Sequence, residues 1–251
     1  LEPFDFAAFN EQDYDRAVAA KNRAEDISRV LYPNDSGEKG KILRLEQQYF
    51  FTAASLQDML RTFARTHGEC WEQLADYTAI QLNDTHPVIA IPELIRLLTE
   101  RGVSFMEALD IARRVFSYTN HTVMPEALER WDMAIVEKVC PAVVPLVRQL
   151  AAQQEQELTA AGVPEIRWKS LLLLQGDTLH MAYLACWVAA HINGVAQLHT
   201  DILRQTVLQE FHRLYPEKIV NVTNGVTQRR WLGLCNPGLA AFITRQLGDE
   251  G

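Results

Sequence analysis

Two short apolar segments of the sequence each run directly into a cluster of Asn, Asp and Thr residues. Residues 78–82 lead into residues 83–87, and residues 218–222 lead into residues 223–225. Short apolar strands that end in polar loops and alternate with helices are typical of α/β sheets, whose ligands bind at the carboxyl ends of the strands. The sequence therefore predicts an α/β fold with its functional residues in these loops.

Amphipathic helices are predicted for much of the remaining sequence. Apolar residues recur at helical spacing over residues 45–63, where Gly68 is expected to end the helix, and over residues 105–116. A second polar cluster, residues 118–122, follows the latter helix. Pro125 is then expected to open another helix, because a proline costs no hydrogen bond in the first turn.

The later part of the chain is predicted to contain two strands around Gly176-Asp177 and a single helix over residues 198–214. His191 is placed on the apolar face of a helix that ends at Asn193-Gly194. Such a histidine either packs in the core or, because a helix end leaves backbone carbonyls free, lies beside a ligand. The pattern alone leaves both interpretations open.

Charge and composition exclude several classes of protein. The 251 residues carry 24 Lys and Arg against 32 Asp and Glu, a net charge of −8, which argues against binding to nucleic acid phosphates. No apolar run approaches the roughly 20 residues that span a membrane. The chain opens on Leu1 with no initiator Met or signal sequence, and we interpret this start as a cut in a longer cytoplasmic protein. The cysteines are expected to be free thiols: Cys70, Cys140, Cys186 and Cys235.

Familiar cofactor and metal motifs do not occur in this sequence. Gly37-x-x-Gly40-Lys41 has the wrong spacing for a phosphate-binding loop, and neither the dinucleotide fingerprint nor the hydrolase nucleophile elbow is found. His191 and His199 are eight residues apart, too far for a helical metal clamp. No metal is expected.

The strand-terminal loops contain the candidate site residues. Asp84 and His86 lie on either side of Thr85, directly after a predicted strand. In an extended segment both side chains point to the same side and can contact one ligand. Alternatively, they can cap the next helix. Asn224 is either a turn residue or an amide suited to sugar hydroxyls. Arg229-Arg230 is either solvated surface or a phosphate or interdomain contact.

Six longer stretches identify a family. They occur in the order VLYPND (residues 30–35), LRLEQQYF (43–50), QLNDTHPVIAIPEL (81–94), YTNHTVMPEALERW (118–131), HINGVA (191–196) and NVTNGV (221–226), the last followed by Arg229-Arg230-Trp231. Their order and spacing closely resemble the α-glucan phosphorylases (glycogen, starch and maltodextrin phosphorylase) across essentially the whole chain.

The resemblance implies a fold and a reaction. The family fold is a two-domain, Rossmann-like glycosyltransferase of the GT-B type, and this chain would be a helix-rich internal piece. Residues 1–225 would be the later part of the N-terminal domain, and residues 226–251 the crossover towards a C-terminal domain outside the chain. The implied reaction is phosphorolysis: inorganic phosphate cleaves terminal glucosyl units from an α-1,4-glucan to give glucose 1-phosphate with retained configuration, with the help of pyridoxal 5′-phosphate.

The resemblance also implies roles for residues around the sugar. His191 would contact the terminal glucosyl unit through its side chain and its carbonyl, which favours positive charge at the anomeric carbon. Asn224 would hold the 6-hydroxyl of the same sugar. Asp84 and His86 would line the pocket beside it, and Arg44 would lie behind a loop that controls entry.

That entry loop contains Asn34, Asp35 and Ser36, which the resemblance makes substrate-binding residues. Trp231 would pack near the cofactor, whose Schiff-base lysine matches no lysine of this chain and is expected downstream. Family members are commonly dimers, so a homodimer is expected of the full-length protein.

Three short stretches depart from the family pattern. Ser36 replaces the usual Asn or Asp, Gln228 replaces a proline, and Pro141-Ala142-Val143 replaces Pro-Arg-His. These changes leave an alternative open, in which the chain is a non-catalytic glucan-binding or interaction module on the same scaffold.

Overall fold

The computed structural model describes residues 4–248, so the start at Leu1 and the last three residues of the expected 226–251 segment lie outside the described residues. The strands are β1 Ile80–Asn83, β2 Phe116–Thr119, β3 Arg130–Asp132, β4 Leu174–Gln175, β5 Thr178–His180, β6 Ile192–Gly194 and β7 Ile219–Asn221. The helices are α1 Phe6–Asn10, α2 Tyr14–Arg29, α3 Glu38–His67, α4 Leu74–Tyr77, α5 Ala90–Thr99, α6 Phe105–Val115, α7 Met133–Val139, α8 Val144–Ala160, α9 Glu165–Trp168, α10 Met181–Val188, α11 Gln197–Gln205, α12 Gln209–Leu214 and α13 Pro237–Leu247.

Four parallel strands form the central sheet in the order β1-β2-β6-β7. Asn83 of β1 lies opposite Thr119 of β2, which lies opposite Asn193 of β6. All four strands therefore end at one edge, which we call the carboxyl edge. The predicted α/β fold is confirmed as a mixed, helix-rich α/β arrangement with a parallel sheet.

The two faces of this sheet differ in polarity because side chains alternate along a strand. Leu82, Phe116, Tyr118 and Ile192 are fully buried on one face, where α5 and α6 complete the core. The opposite face carries Gln81, Thr119 and Asn193, which are exposed or half-buried. We call this the polar face. Its side chains bond to one another: Gln81 Nε2 donates to Thr119 Oγ1 at 2.8 Å, and the Thr119 hydroxyl donates to Asn193 Oδ1 at 2.7 Å.

A second, antiparallel sheet has the order β3-β5-β4 and confirms the two strands predicted around Gly176-Asp177. The helix predicted to open at Pro125 was wrong. Pro125–Ala127 is a single 3₁₀ turn, and the chain then extends into β3. The helix begins only at Met133, where the Asp132 carboxylate caps it by accepting from the Ala134 amide at 2.8 Å.

Three other local predictions were also wrong. His191 does not lie on a helix: α10 ends at Val188, Ala189 is extended, and Asn193-Gly194 belongs to β6. Strand pairing on both sides of β6 outweighs the helical periodicity there. Residues 198–214 form two helices rather than one, because Thr206 adopts a non-helical conformation between α11 and α12.

The third concerns the alternative in which Asp84 or His86 caps the next helix, α5; neither residue does so. This helix begins at Ala90 with no side-chain cap, and Pro92 lies in its first turn, where its missing N–H costs nothing. Elsewhere, Gly68 ends α3 with a positive φ of 72°, as the sequence predicts. No helix among residues 4–248 is long and apolar enough to cross a membrane.

Candidate functional site at the carboxyl edge

The loops after all four parallel strands meet at the carboxyl edge. Asp84 follows β1, Asn120 follows β2, Val195 follows β6 and Val222 follows β7. Ligands of open α/β sheets bind in the crevice outside these strand ends. The structure therefore brings the predicted loops of Asp84 and Asn224 to one side of the molecule.

The loop after β1 turns sharply at Asp84. Its φ of 64° lies in the left-handed region, which non-glycine residues seldom adopt. Its amide donates to the Thr119 carbonyl at 2.9 Å, and its carboxylate accepts from the Thr85 amide at 2.7 Å. Asp84 thus stabilises its own turn, and the turn presents His86 on the side facing α3.

His86 lies in a charged cluster built from three distant segments. Arg44 of α3 places Nη2 at 3.4 Å from His86 Nδ1 and at 3.3 Å from Glu129 Oε1. Glu129 Oε1 is also 3.5 Å from His86 Nδ1. The side chain of Glu129 is 9% exposed, so its charge is buried and depends on these partners.

The pKa of His86 is raised above its ordinary value. The main cause is the hydrogen bond to Glu129; burial opposes it, and the charges of Glu129 and Asp84 add to it. A raised pKa keeps His86 cationic to higher pH than an isolated histidine. This part of the carboxyl edge is therefore suited to an anionic or hydroxyl-rich ligand.

The loop of Asn34, Asp35 and Ser36 is tied to the same cluster. Arg44 Nη1 binds Asp35 Oδ2 at 2.6 Å, and the Ser36 amide donates to Asn34 Oδ1 at 3.0 Å. The loop lies directly on α3: a Cβ on Gly40 would overlap the Asn34 carbonyl oxygen. Arg44 thus joins the predicted entry loop to His86.

Two cavities flank the Arg44–His86 pair. One, of about 350 Å³, lies towards Tyr32, and the other, of about 290 Å³, is lined by Glu129 and Trp131. Glu129 Oε2 and Trp131 Nε1 are buried without a hydrogen-bond partner. A buried acceptor and a buried donor that lack partners are costly, and a ligand hydroxyl can satisfy either one.

His121 lies at the carboxyl edge, although it had no predicted role. Its Nε2 is 2.6 Å from Asn83 Oδ1 at the end of β1. Burial lowers the pKa of His199, and the nearby His121 lowers it further. The backbone amide of Asn224 donates to the Val195 carbonyl at 3.0 Å, and the backbone amide of Val195 donates to His199 Nδ1 at 3.1 Å. The polar cluster at residues 118–122 was the sequence signal for this histidine.

His191 occupies a different part of the sheet. It precedes β6, is exposed, and lies three residues before Gly194, or about 10 Å from the carboxyl edge at strand spacing. Its carbonyl oxygen accepts from the Tyr118 amide at 2.9 Å. His191 thus precedes β6, whereas Asn224 follows the neighbouring strand β7.

Trp231 lies on a short π-helix, Arg229–Leu234, with 64% of its surface exposed. The described residues do not fit pyridoxal phosphate on their own. Burial lowers the pKa of Lys218 to about 8, but its ammonium donates to the Trp187 carbonyl at 2.8 Å and lies over the Tyr215 ring. That amine is held by the fold rather than presented to a cofactor.

The remaining departures from the family pattern lie outside the carboxyl-edge loops. Pro141–Val143 forms a 3₁₀ turn between α7 and α8, in which Val143 is fully buried. Gln228 is exposed and precedes the π-helix. Neither of these changes alters the cluster around Arg44 and His86.

The chain is a helix-rich α/β protein with a parallel sheet, whose candidate site residues lie in loops at the carboxyl edge. The family profile described as carbohydrate phosphorylase matches residues 1–250, and the chain belongs to this family. It is 44% identical over 260 residues to the liver form of human glycogen phosphorylase, and the aligned region covers 98% of this chain and 31% of that protein. It is 43% identical to the bovine liver form, with 98% and 30% covered, and 44% identical to the mouse brain form, with 98% and 31% covered. The chain thus spans about 31% of the length of these relatives.

Proposed function

We propose that this chain is part of an α-1,4-glucan phosphorylase that cleaves terminal glucosyl units with inorganic phosphate. The product is glucose 1-phosphate with retained anomeric configuration. One observation carries the proposal: in a member of the carbohydrate phosphorylase family, the polar loops after four parallel strands converge on one edge. Catalysis by the whole protein also needs residues outside this chain.

In the proposed reaction, the terminal glucosyl unit binds at the carboxyl edge. Asn224 holds its 6-hydroxyl through the side-chain amide, while Asp84 and His86 line the neighbouring pocket. The buried indole N–H of Trp131, which has no hydrogen-bond partner, supports this assignment, because a sugar hydroxyl can accept from it.

His191 is the histidine assigned to the terminal glucosyl unit, which it contacts through its side chain and its main-chain carbonyl. The exposed position of its side chain, just before β6, supports this assignment. Its carbonyl accepts from the Tyr118 amide at 2.9 Å, and a carbonyl oxygen has two lone pairs, so the second can favour positive charge at the anomeric carbon. His121, whose Nε2 is 2.6 Å from Asn83 Oδ1, is a second candidate for the same sugar.

Access to the sugar is controlled by the loop of Asn34, Asp35 and Ser36. Arg44 holds this loop through Asp35 and contacts His86 at the same time. Ordering a loop over a glycosyl site excludes water, which would otherwise compete with phosphate for the sugar. Arg44 is a positioning residue for this loop.

Pyridoxal 5′-phosphate, when bound, supplies a phosphate group that relays a proton to the substrate phosphate. It is held by the part of the protein outside this chain, with Trp231 packing nearby. Residues 226–251 lead towards that part. Trp231, Leu234 and Leu247 are largely exposed, with Leu247 at 81%, as expected of side chains that contact further polypeptide. A cytoplasmic homodimer is the proposed form of the whole protein.

The test uses the full-length protein with maltodextrin and phosphate. Glucose 1-phosphate is expected to form, and Asn224→Ala is expected to lower kcat/KM by about 100-fold, because a hydrogen bond to the sugar in the transition state is lost. The exposed Asn10→Ala is the matched control. The absence of glucose 1-phosphate from the wild-type reaction would contradict the proposed function, and an unchanged Asn224→Ala would contradict the residue assignment.

A further inference from the structure

One oxygen of Glu129 binds three different side chains. Oε1 accepts from Gln48 Nε2 at 2.9 Å, lies 3.3 Å from Arg44 Nη2 and lies 3.5 Å from His86 Nδ1. The donors belong to α3 and to the loop after β1, so a single carboxylate joins two parts of the fold. The other oxygen of Glu129 is buried and makes no such contact.

The hydrogen bonds of His86 depend on its protonation. In the neutral ring, an unprotonated Nδ1 can accept from Arg44 Nη2, which is 3.4 Å away. In the cationic ring, Nδ1 carries a proton and can only donate, and its acceptor is Glu129 Oε1. The negative charge of Glu129 therefore holds two cations, Arg44 and protonated His86, side by side.

The same arginine extends the connection to the entry loop. Arg44 binds Asp35 with Nη1 while its Nη2 faces Glu129. Only the planar, forked guanidinium can make both contacts in this geometry. Glu129 and Asp35 are thus joined through Arg44 without a hydrogen bond between them.

We propose that Glu129 is a positioning residue that fixes Arg44 and His86, and through Arg44 holds the Asp35 loop closed beside the sugar. This role rests on the proposed function and assigns regulation of loop closure to a residue that does not bond to the loop itself. The charged groups that face His86 or line the adjoining cavity are Arg44, Glu129, Asp84, Asp35, Lys41, Glu126, Arg130 and Asp132.

The test compares Glu129→Gln with wild type in the full-length protein, using phosphorolysis of maltodextrin. Glutamine keeps the shape and one acceptor but removes the charge. We expect the KM for glucan to rise about tenfold while kcat changes less than about threefold, because a charge-assisted contact to Arg44 is weakened. The exposed Glu137→Gln on α7 is the matched control and is expected to behave as wild type.

Two further readouts separate positioning from a general loss of structure. In Glu129→Gln, the limb of the pH profile of kcat/KM that belongs to His86 is expected to move to lower pH, since Glu129 favours the cationic ring. Glu129→Gln and Asp35→Asn are expected to be non-additive in a double-mutant cycle, because both act through Arg44. Additive effects, or a pH profile that does not move, would overturn the role of Glu129.

The outcomes remain distinguishable from those of the proposed function. An inactive wild type contradicts the phosphorylase assignment, whereas an active wild type with a Glu129→Gln variant equal to Glu137→Gln contradicts only the positioning role. If circular dichroism shows that Glu129→Gln does not fold, Arg44→Lys carries the test. Lysine keeps the charge, but its single nitrogen lacks the two separate donor groups with which Arg44 reaches Asp35 and Glu129, so the same rise in KM is expected, and an unchanged KM overturns the proposal.

Discussion

The carboxyl edge and the polar face of the central sheet are both rich in polar side chains, but their hydrogen bonding differs. On the polar face, Gln81, Thr119 and Asn193 bond to one another. At the carboxyl edge, Glu129 keeps a buried oxygen without a partner, and Arg44 and His86 carry charge beside a cavity. A cluster of polar side chains is therefore not by itself a candidate site. Buried polar atoms that lack hydrogen-bond partners beside a cavity are a more informative signal.

The largest expected effect distinguishes the two histidines of these regions. In the full-length protein, His191→Ala is expected to lower kcat/KM for phosphorolysis by about 100-fold, because a preorganised contact to the reacting sugar is removed. His121→Ala is expected to have a smaller effect, because its Nε2 is already bound to Asn83 Oδ1. The reverse order of the two effects would place the reacting sugar near His121 and break the comparison.

An intermediate effect is expected from the loop that Arg44 binds. Gly40→Ala forces the added Cβ against the Asn34 carbonyl, so the loop must move. Overpacking of this kind costs about 1–3 kcal/mol, which corresponds to about a 5-fold to 160-fold loss of kcat/KM if closure is needed for catalysis.

Gly37→Ala is the matched control for that substitution. A Cβ at Gly37 meets nothing within 4 Å, and its φ of −116° suits any residue. Near-wild-type kinetics are therefore expected for Gly37→Ala. If both variants lose activity equally, or if Gly40→Ala loses none, the position of the loop is not coupled to the site.

The smallest effect is a pH dependence of stability. Because the folded-state pKa of His86 is raised, its stabilising contribution is complete below the pKa of the unfolded chain and is lost as the pH rises through the folded-state pKa. The difference in thermal unfolding midpoint between wild type and His86→Gln is thus expected to be larger at about pH 5.5 than at about pH 8.5. A difference that grows with pH would mean that Glu129 does not stabilise the cationic ring.

Much of the fold could be predicted from local patterns. The strand before Asp84, the hairpin at Gly176 and the end of α3 at Gly68 follow from alternation, turn chemistry and capping. The errors arose where tertiary contacts outweigh local preference. Around His191 the sequence has helical periodicity, but the chain forms a strand there because Ile192 pairs with Tyr118 on one side and with Ile219 on the other.

The candidate site was predicted only in part, for a similar reason. Asp84 and His86 stand out because they follow a strand within one loop. Glu129 did not stand out, because its partners Gln48 and Arg44 lie more than 80 residues earlier and meet it only in the folded chain. His121 lay in a recognised polar cluster, but nothing local indicated that the end of β2 adjoins Asn83 and the loop after β6.

The most direct measurement is the structure of the full-length protein with a bound maltooligosaccharide. The terminal glucosyl unit is expected at the carboxyl edge, within hydrogen-bond distance of the Asn224 side-chain amide and the His191 ring, with Glu129 and Arg44 still in contact. A glucosyl unit that contacts neither Asn224 nor His191 would contradict the proposed site.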